Sequence, residues 1–400
     1  MQRNQVVDLA SDVPAVTGRR RFLALFGAGA AAAAMPGVVS GDQRDLHAPV
    51  RHEEPDWVFE DPPVVLDQDP SRVLLDQNEN PIAPSAVERQ AMQKALDLAN
   101  RYPDSEGALI RELASLHGVD RDCLLMGCGS TELLKVCADA YLKPHSELLQ
   151  AAPTYPTIER YGRVNAADIV SVPVDSRGEV DMGEMGRRLG PRTAVAYLCN
   201  PNNPTGTVIP DGQVQDFLES VPEGVLTVCD EAYHHYVTDN RYRSLIEMAS
   251  RRRNLVVLRT FSKAYGLAGM RIGYAVAHPE TIRALSPHRL SINLNNPGIH
   301  AAIAALKDQA FVDETVRLNA ESRGAIQREM PRFGGRPVPS QAGFVWVAFD
   351  RETRPIREAL AAEHVYVRMY SHSPKHLRIS TGRPQDMDRL FGAMEKVLAS

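Results

Sequence analysis

Seven short, β-rich apolar runs, at residues 124–126, 147–151, 169–172, 194–198, 226–229, 255–258 and 274–277, alternate along the chain with amphipathic stretches. Parallel strands need long crossovers between them, and amphipathic helices are the usual ones. The alternation therefore predicts an α/β fold around a mostly parallel central sheet. Several runs are apolar at consecutive positions, as strands covered on both faces must be. After Pro297 helical spacing dominates, interrupted by β-rich runs at 344–349 and 365–368, and a last helix starts at Gln385. These segments predict a second, smaller α+β domain. Val87, Met92, Ala95 and Leu96 predict a helix over 85–98, with Ser85 and Glu88 as its capping box. The expected divisions are a leader at 1–40, an arm with part of the small domain at 41–98, a large domain at 99–296 and the small domain at 297–400.

Arg19, Arg20 and Arg21 stand before Phe22-Leu23 and an alanine-rich apolar run to Met35. The order of charge and then a short apolar stretch is that of an export signal. It resembles a twin-arginine signal, with Arg19-Arg20 as the pair and Gly18 where Ser or Thr is usual. The run is too short and too rich in Ala and Gly to span a bilayer, so removal after the small residues 32–34 is expected. That implies twin-arginine export machinery as a partner and a periplasmic or secreted destination after folding in the cytoplasm. Without the signal reading the chain would be cytoplasmic. Forty-five Lys and Arg against fifty Asp and Glu give a net charge of −5, which argues against nucleic acid as a partner. Cys123, Cys128, Cys137, Cys199 and Cys229 lie in apolar runs without metal-type pairing and read as reduced core residues.

In open α/β sheets the chemistry gathers at the carboxyl ends of strands. The run 226–229 leads into Asp230-Glu231-Ala232-Tyr233, and the run 255–258 leads into Ser262-Lys263, Gly266-Leu267-Ala268-Gly269 and Arg271. An acid, a lysine and an arginine on neighbouring strand ends suit a cofactor carrying a basic ring nitrogen, an aldehyde and a phosphate. Gly129-Ser130-Thr131 closes a strand and opens a helix, where backbone N–H groups can hold a phosphate. His234 and His235 follow Tyr233, but adjacent side chains are expected to point apart, so no metal site is expected.

With these motifs in this order, the chain from about Leu74 onward resembles the fold-type I, pyridoxal-phosphate-dependent class I/II aminotransferases, and among them the histidinol-phosphate aminotransferase group. The resemblance implies pyridoxal 5'-phosphate as cofactor and Lys263 as the Schiff-base lysine and proton carrier. Asp230 would pair with the pyridine nitrogen, Tyr233 and Asn203 would bond the phenolic oxygen, and Tyr155 would stack on the ring. Gly129, Ser130, Thr131, Ser262 and Arg271 would hold the phosphate. Tyr102, in Tyr102-Pro103-Asp104, would reach the phosphate of a neighbouring subunit, which implies a homodimer with shared sites.

Asn80, in Asn78-Glu79-Asn80-Pro81, and Arg368 and Arg378 would contact substrate, Arg378 as the fork for a carboxylate. The implied reaction moves an amino group between an amino acid or amine and a 2-oxo acid, with glutamate and 2-oxoglutarate as one pair. A decarboxylase or lyase of the same fold, like the threonine-phosphate decarboxylases, uses the same cofactor residues and is the alternative. The segment 369–377 is shorter than is usual in the group, and Cys128 stands where many relatives have Asn. The shortened segment leads us to expect a partner other than histidinol phosphate.

Overall fold

Continuous apolar strands do form the centre of the molecule, in a computed structural model that describes residues 71–399. The export-signal reading and most of the arm fall outside the described residues. A first short strand, β1 (Val73–Leu75), lies within the segment 41–98 expected as an arm and part of the small domain. Then come β2 (Leu124–Cys128), β3 (Glu147–Ala152), β4 (Asp168–Pro173), β5 (Thr193–Cys199), β6 (Leu226–Asp230), β7 (Leu255–Thr260) and β8 (Ile272–Val276). These last seven make one sheet in the order β2-β8-β7-β6-β5-β3-β4. β3, β4, β5, β6 and β7 run parallel, while β8 lies antiparallel to both β2 and β7. The seven sequence runs correspond to these seven strands.

Both faces of this sheet are covered. Leu255 and Val257 enter one apolar cluster with Leu149, Ala196 and Ile272, whereas Val256 and Leu258 enter another with Leu148, Val195 and Val228. Every residue of β7 is buried, which is why its sequence shows no polar alternation.

The second sheet has the order β1-β11-β12-β10-β9, with β9 (Arg336–Pro337), β10 (Phe344–Ala348), β11 (Val365–Tyr370) and β12 (Ser373–Ser380). One face packs Val345, Val347, Leu377 and Ile379 against the helices Gln309–Glu329 and Pro384–Ala399 through Ile326, Leu390 and Met394. The opposite side chains of β10 and β12, Phe344, Trp346 and Arg378 among them, face away from that cluster. β1 pairs in parallel with β11, so the strand nearest the amino end completes the sheet built by the carboxyl end.

The helix expected at 85–98 is Ala86–Ala95 followed by a tighter turn, Leu96–Leu98. Its capping box is complete: Ser85 Oγ accepts from Glu88 N and Glu88 returns to Ser85 N. This helix packs on Asn296–Ala305. All five cysteines are free, and all but Cys128 are buried. Among the described residues no helix is long and apolar enough to cross a membrane.

Candidate active site

The carboxyl ends of β2, β5, β6 and β7 open on one side of the large sheet, and the polar-facing side of the smaller sheet closes over them. A cavity of about 370 Å³ lies between. Ser130, Thr131, Tyr155, Asn203, Asp230, Tyr233, Ser262, Lys263 and Arg271 line it, with Arg368 and Arg378. Residues separated by more than two hundred positions in the chain thus share one wall.

Asp230 ends β6 and is 2% exposed. Its Oδ1 accepts from Ala232 N at 3.1 Å and its Oδ2 from the Tyr197 hydroxyl at 3.3 Å. Burial pushes its carboxyl up to about 6, against the lowering effect of those two bonds and of Lys263. Strand alternation sends the next residue, Glu231, the other way. There it accepts from Arg259 at 2.7 and 2.9 Å, from Ser244 and from Leu245 N. Breaking such a buried pair costs about 3–5 kcal/mol, so this pair anchors the segment that carries Asp230 and Tyr233.

Lys263 Nζ donates to Asn78 O at 2.9 Å and Gln77 O at 3.4 Å, and sits 5.6 Å from the centre of the Tyr233 ring. Desolvation first, and then the charge of Arg378, lowers its ammonium to about 8. A lysine in that range supplies free amine near neutral pH, as a nucleophile or base requires. Tyr233 accepts from Asn78 Nδ2 at 3.0 Å, and burial holds its phenol protonated, leaving the O–H as a donor.

The other end of the cavity is built for an anion. The helix Gly129–Tyr141 begins directly after β2 and presents its first turn there. Gly129 has φ +73°, and a Cβ at this position would lie 2.5 Å from Arg271 Nη2, inside the space the guanidinium needs. Ser262 Oγ accepts from Thr260 and, at 3.4 Å, from Arg271, which leaves its own hydrogen to donate. The donor set therefore fits a phosphorylated ring aldehyde: an anion cradle at one end, an amine beyond it and a buried carboxylate beneath.

Arg378 is 6% exposed and stands directly opposite Arg368 across β11 and β12. Asn203 Oδ1 accepts from its Nη1 at 2.8 Å, and its Nε, though buried, meets no partner. Tyr155 lines the cavity on the side of the second apolar cluster.

Two expectations are corrected. Asn80 does not line the cavity. Asn78 takes a positive φ of 55°, a conformation asparagine tolerates, and turns its own amide inward. Asn80 Nδ2 meets the carbonyls of Lys263 and Ala264 and the Thr315 hydroxyl, holding the lysine segment from behind. Both asparagines flank Glu79, and only the backbone twist decides which of them faces the cavity. Second, His234 and His235 do not point apart: a tight helical turn, His234–Tyr236, brings their rings to 3.7 Å, Nε2 to Nε2 at 3.1 Å. Among the described residues no group of His, Cys, Asp and Glu could hold a metal. The segment 369–377 is mostly strand, the end of β11 and the start of β12. Tyr102 is 80% exposed and outside this chain's own cavity. Gln77, Asn78, Glu79, Cys199 and Tyr370 line the cavity without having been singled out.

The aminotransferase class I and II family matches residues 71–394. A histidinol-phosphate aminotransferase from Moorella thermoacetica is 37% identical over 332 residues, 82% of this chain and 86% of that protein. The structure of histidinol-phosphate aminotransferase from Sinorhizobium meliloti in complex with pyridoxal-5'-phosphate superposes with a TM-score of 0.77 at 30% identity, over 81% of this chain and 90% of that one. L-threonine-O-3-phosphate decarboxylase from Porphyromonas gingivalis shares the fold, with a TM-score of 0.69 at 23% identity over 82% and 99% of the two chains. With the lysine, the carboxylate and the anion cradle in one cavity, the chain belongs to the class I and II aminotransferases and is a pyridoxal-phosphate-dependent enzyme, similar to those that carry the histidinol-phosphate name.

Proposed function

We propose that this aminotransferase exchanges an amino group between glutamate/2-oxoglutarate and a second small amino compound, as a dimer acting after export. The observation that carries the substrate reading is Arg378, buried, with an unpartnered Nε, on the same cavity wall as Lys263. Bound pyridoxal phosphate supplies an aldehyde and an electron-accepting ring. Ser130, Thr131, Ser262 and Arg271 would hold its phosphate, Tyr155 would face the ring, and Asp230 would keep the ring nitrogen protonated. Tyr233 and Asn203 would donate to the phenolic oxygen. Lys263 Nζ would take a proton from the substrate α-carbon and return it to the cofactor's aldehyde carbon, on the far side of the intervening nitrogen. Arg378 fixes the substrate carboxylate so that the C–H bond points at the amine.

L-glutamate is expected to convert the enzyme to its amino form in a single turnover, followed by loss of the visible absorbance. In the same assay the shortened segment 369–377 favours a second partner other than histidinol phosphate. Conversion by histidinol phosphate alone, with no response to glutamate, overturns this choice of substrates.

The dimer reading rests on surface chemistry. Leu98, Tyr102, Leu290 and Ile292 are exposed, and their segments are tied together: Asn296 Nδ2 meets the carbonyls of Leu98 and Arg101, and Arg289 pairs with Glu106 at 3.0 Å. Apolar side chains gathered this way suit a second copy of the chain. Sedimentation at assay concentration is expected to give a dimer. An active monomer refutes the shared-site role of Tyr102.

Export is supported by Arg19-Arg20 before the apolar run. Replacing both arginines by lysine is expected to abolish periplasmic accumulation while leaving the cytoplasmic enzyme active. Unchanged accumulation on fractionation refutes it.

A further inference from the structure

β11 and β12 pair regularly through Arg368 opposite Arg378 and Met369 opposite Leu377, and then the register shifts between Met369 and Tyr370. Irregularities of this kind re-aim side chains beside active sites. Here the result is a tyrosine between two cations. The Tyr370 ring centre lies 5.7 Å from Arg368 Cζ and 5.6 Å from Arg378 Cζ, with Trp346 behind it at 5.6 Å. Like charges directly opposite in a strand pair repel, and an aromatic face between them offsets that repulsion.

The tyrosine hydroxyl also accepts from Arg378 Nη1 at 2.7 Å. A guanidinium has five N–H donors. Asn203 and Tyr370 take both hydrogens of Nη1, and the Asp76 carbonyl takes one from Nη2. The two that remain are on neighbouring nitrogens, Nε and Nη2, and the Nε hydrogen has no partner although it is buried. Two adjacent N–H groups are what a carboxylate engages in a bidentate bond.

We propose that Tyr370 is a specificity-determining, positioning residue: by occupying Nη1 and separating the two arginines it makes Arg378 present its Nε/Nη2 edge, which selects amino compounds that carry an α-carboxylate. This rests on the reading of Arg378 as the carboxylate fork. Without the hydroxyl, Nη1 regains a hydrogen, the guanidinium can rotate toward its end-on edge, and the carboxylate loses its fixed orientation.

The test is single-turnover conversion of the loaded enzyme by L-glutamate and by 4-aminobutyrate, which is glutamate without its α-carboxylate. In Tyr370→Phe the apparent dissociation constant for L-glutamate is expected to rise about tenfold, the scale of one hydrogen bond to a charged group. The cofactor absorbance and the constant for 4-aminobutyrate should stay the same. A parallel weakening for both compounds indicates general disorder of the wall and overturns the proposal, as does an unchanged constant for glutamate. Arg378→Lys separates the two readings. If it weakens glutamate and Tyr370→Phe does not, the role of Tyr370 falls alone. If Arg378→Lys leaves glutamate binding intact, the fork reading falls first. Tyr370→Ala, which also removes the ring from between the arginines, is expected to weaken glutamate more than Tyr370→Phe, and an equal or smaller effect contradicts the spacer role.

Discussion

Lys263→Ala is expected to give a folded protein with no visible cofactor absorbance and no measurable amino transfer. The lost proton transfer alone is worth about 10²–10⁴-fold, and the covalent hold on the cofactor goes with it. The backbone carbonyls of Gln77 and Asn78 that now accept from Nζ are near the cavity, where water replaces the amine. The fold should therefore survive. Borohydride reduction that still labels a lysine in the variant refutes the assignment. The pH dependence has a definite sign. Only neutral amine attacks an aldehyde, and the Lys263 ammonium is lowered to about 8. Capture of pyridoxal phosphate by cofactor-free protein should accelerate as pH rises and level off above about 8, where an ordinary lysine would still be accelerating toward about 10.4.

Asp230→Asn should bind the cofactor more weakly and lower the limiting rate by about 10²–10³-fold, the scale reached when one preorganised electrostatic group is removed from a site. The substitution keeps the shape and an acceptor for Ala232 N, so stability should change little and the loss reports charge. In the cofactor-free enzyme burial has moved this carboxyl up to about 6. As pH falls through that value the acid takes a proton and can no longer pair with a protonated ring nitrogen. Cofactor affinity of the wild-type protein should therefore weaken below pH about 6, and that of the asparagine variant should not. Parallel pH profiles for the two proteins would show that Asp230 is not the responsible group.

The large sheet was legible because its constraint is simple. Strands buried on both faces need continuous apolar runs, and each run from 124 to 277 matched a strand of the structure. The small sheet was harder. β10 and the start of β11 were visible as apolar segments. Most of β12 was not, since Ser373, Lys375 and His376 at its start are polar and its apolar residues come only at Leu377 and Ile379. β1 is three residues long and is held only by a partner about 290 positions away, a relation no local pattern carries. Within the site, Asp230 was legible because it ends a strand and Lys263 because it follows one closely. Asn78 and Tyr370 were not, because one depends on a left-handed backbone turn and the other on a shift of register.

The pairing of β1 with β11 sets the order in which the molecule can be completed during synthesis. Val73 finds its partner only when Val365 has been made, and Asn78 meets Ser380 later still. Contacts this far apart in the chain form late. The large sheet can assemble on the ribosome while the wall bearing Arg368 and Arg378 does not yet exist, so the cradle for the cofactor's phosphate is ready before the part that recognises substrate. A nascent chain could hold the phosphate end of its cofactor early, but it becomes a selective enzyme only after release.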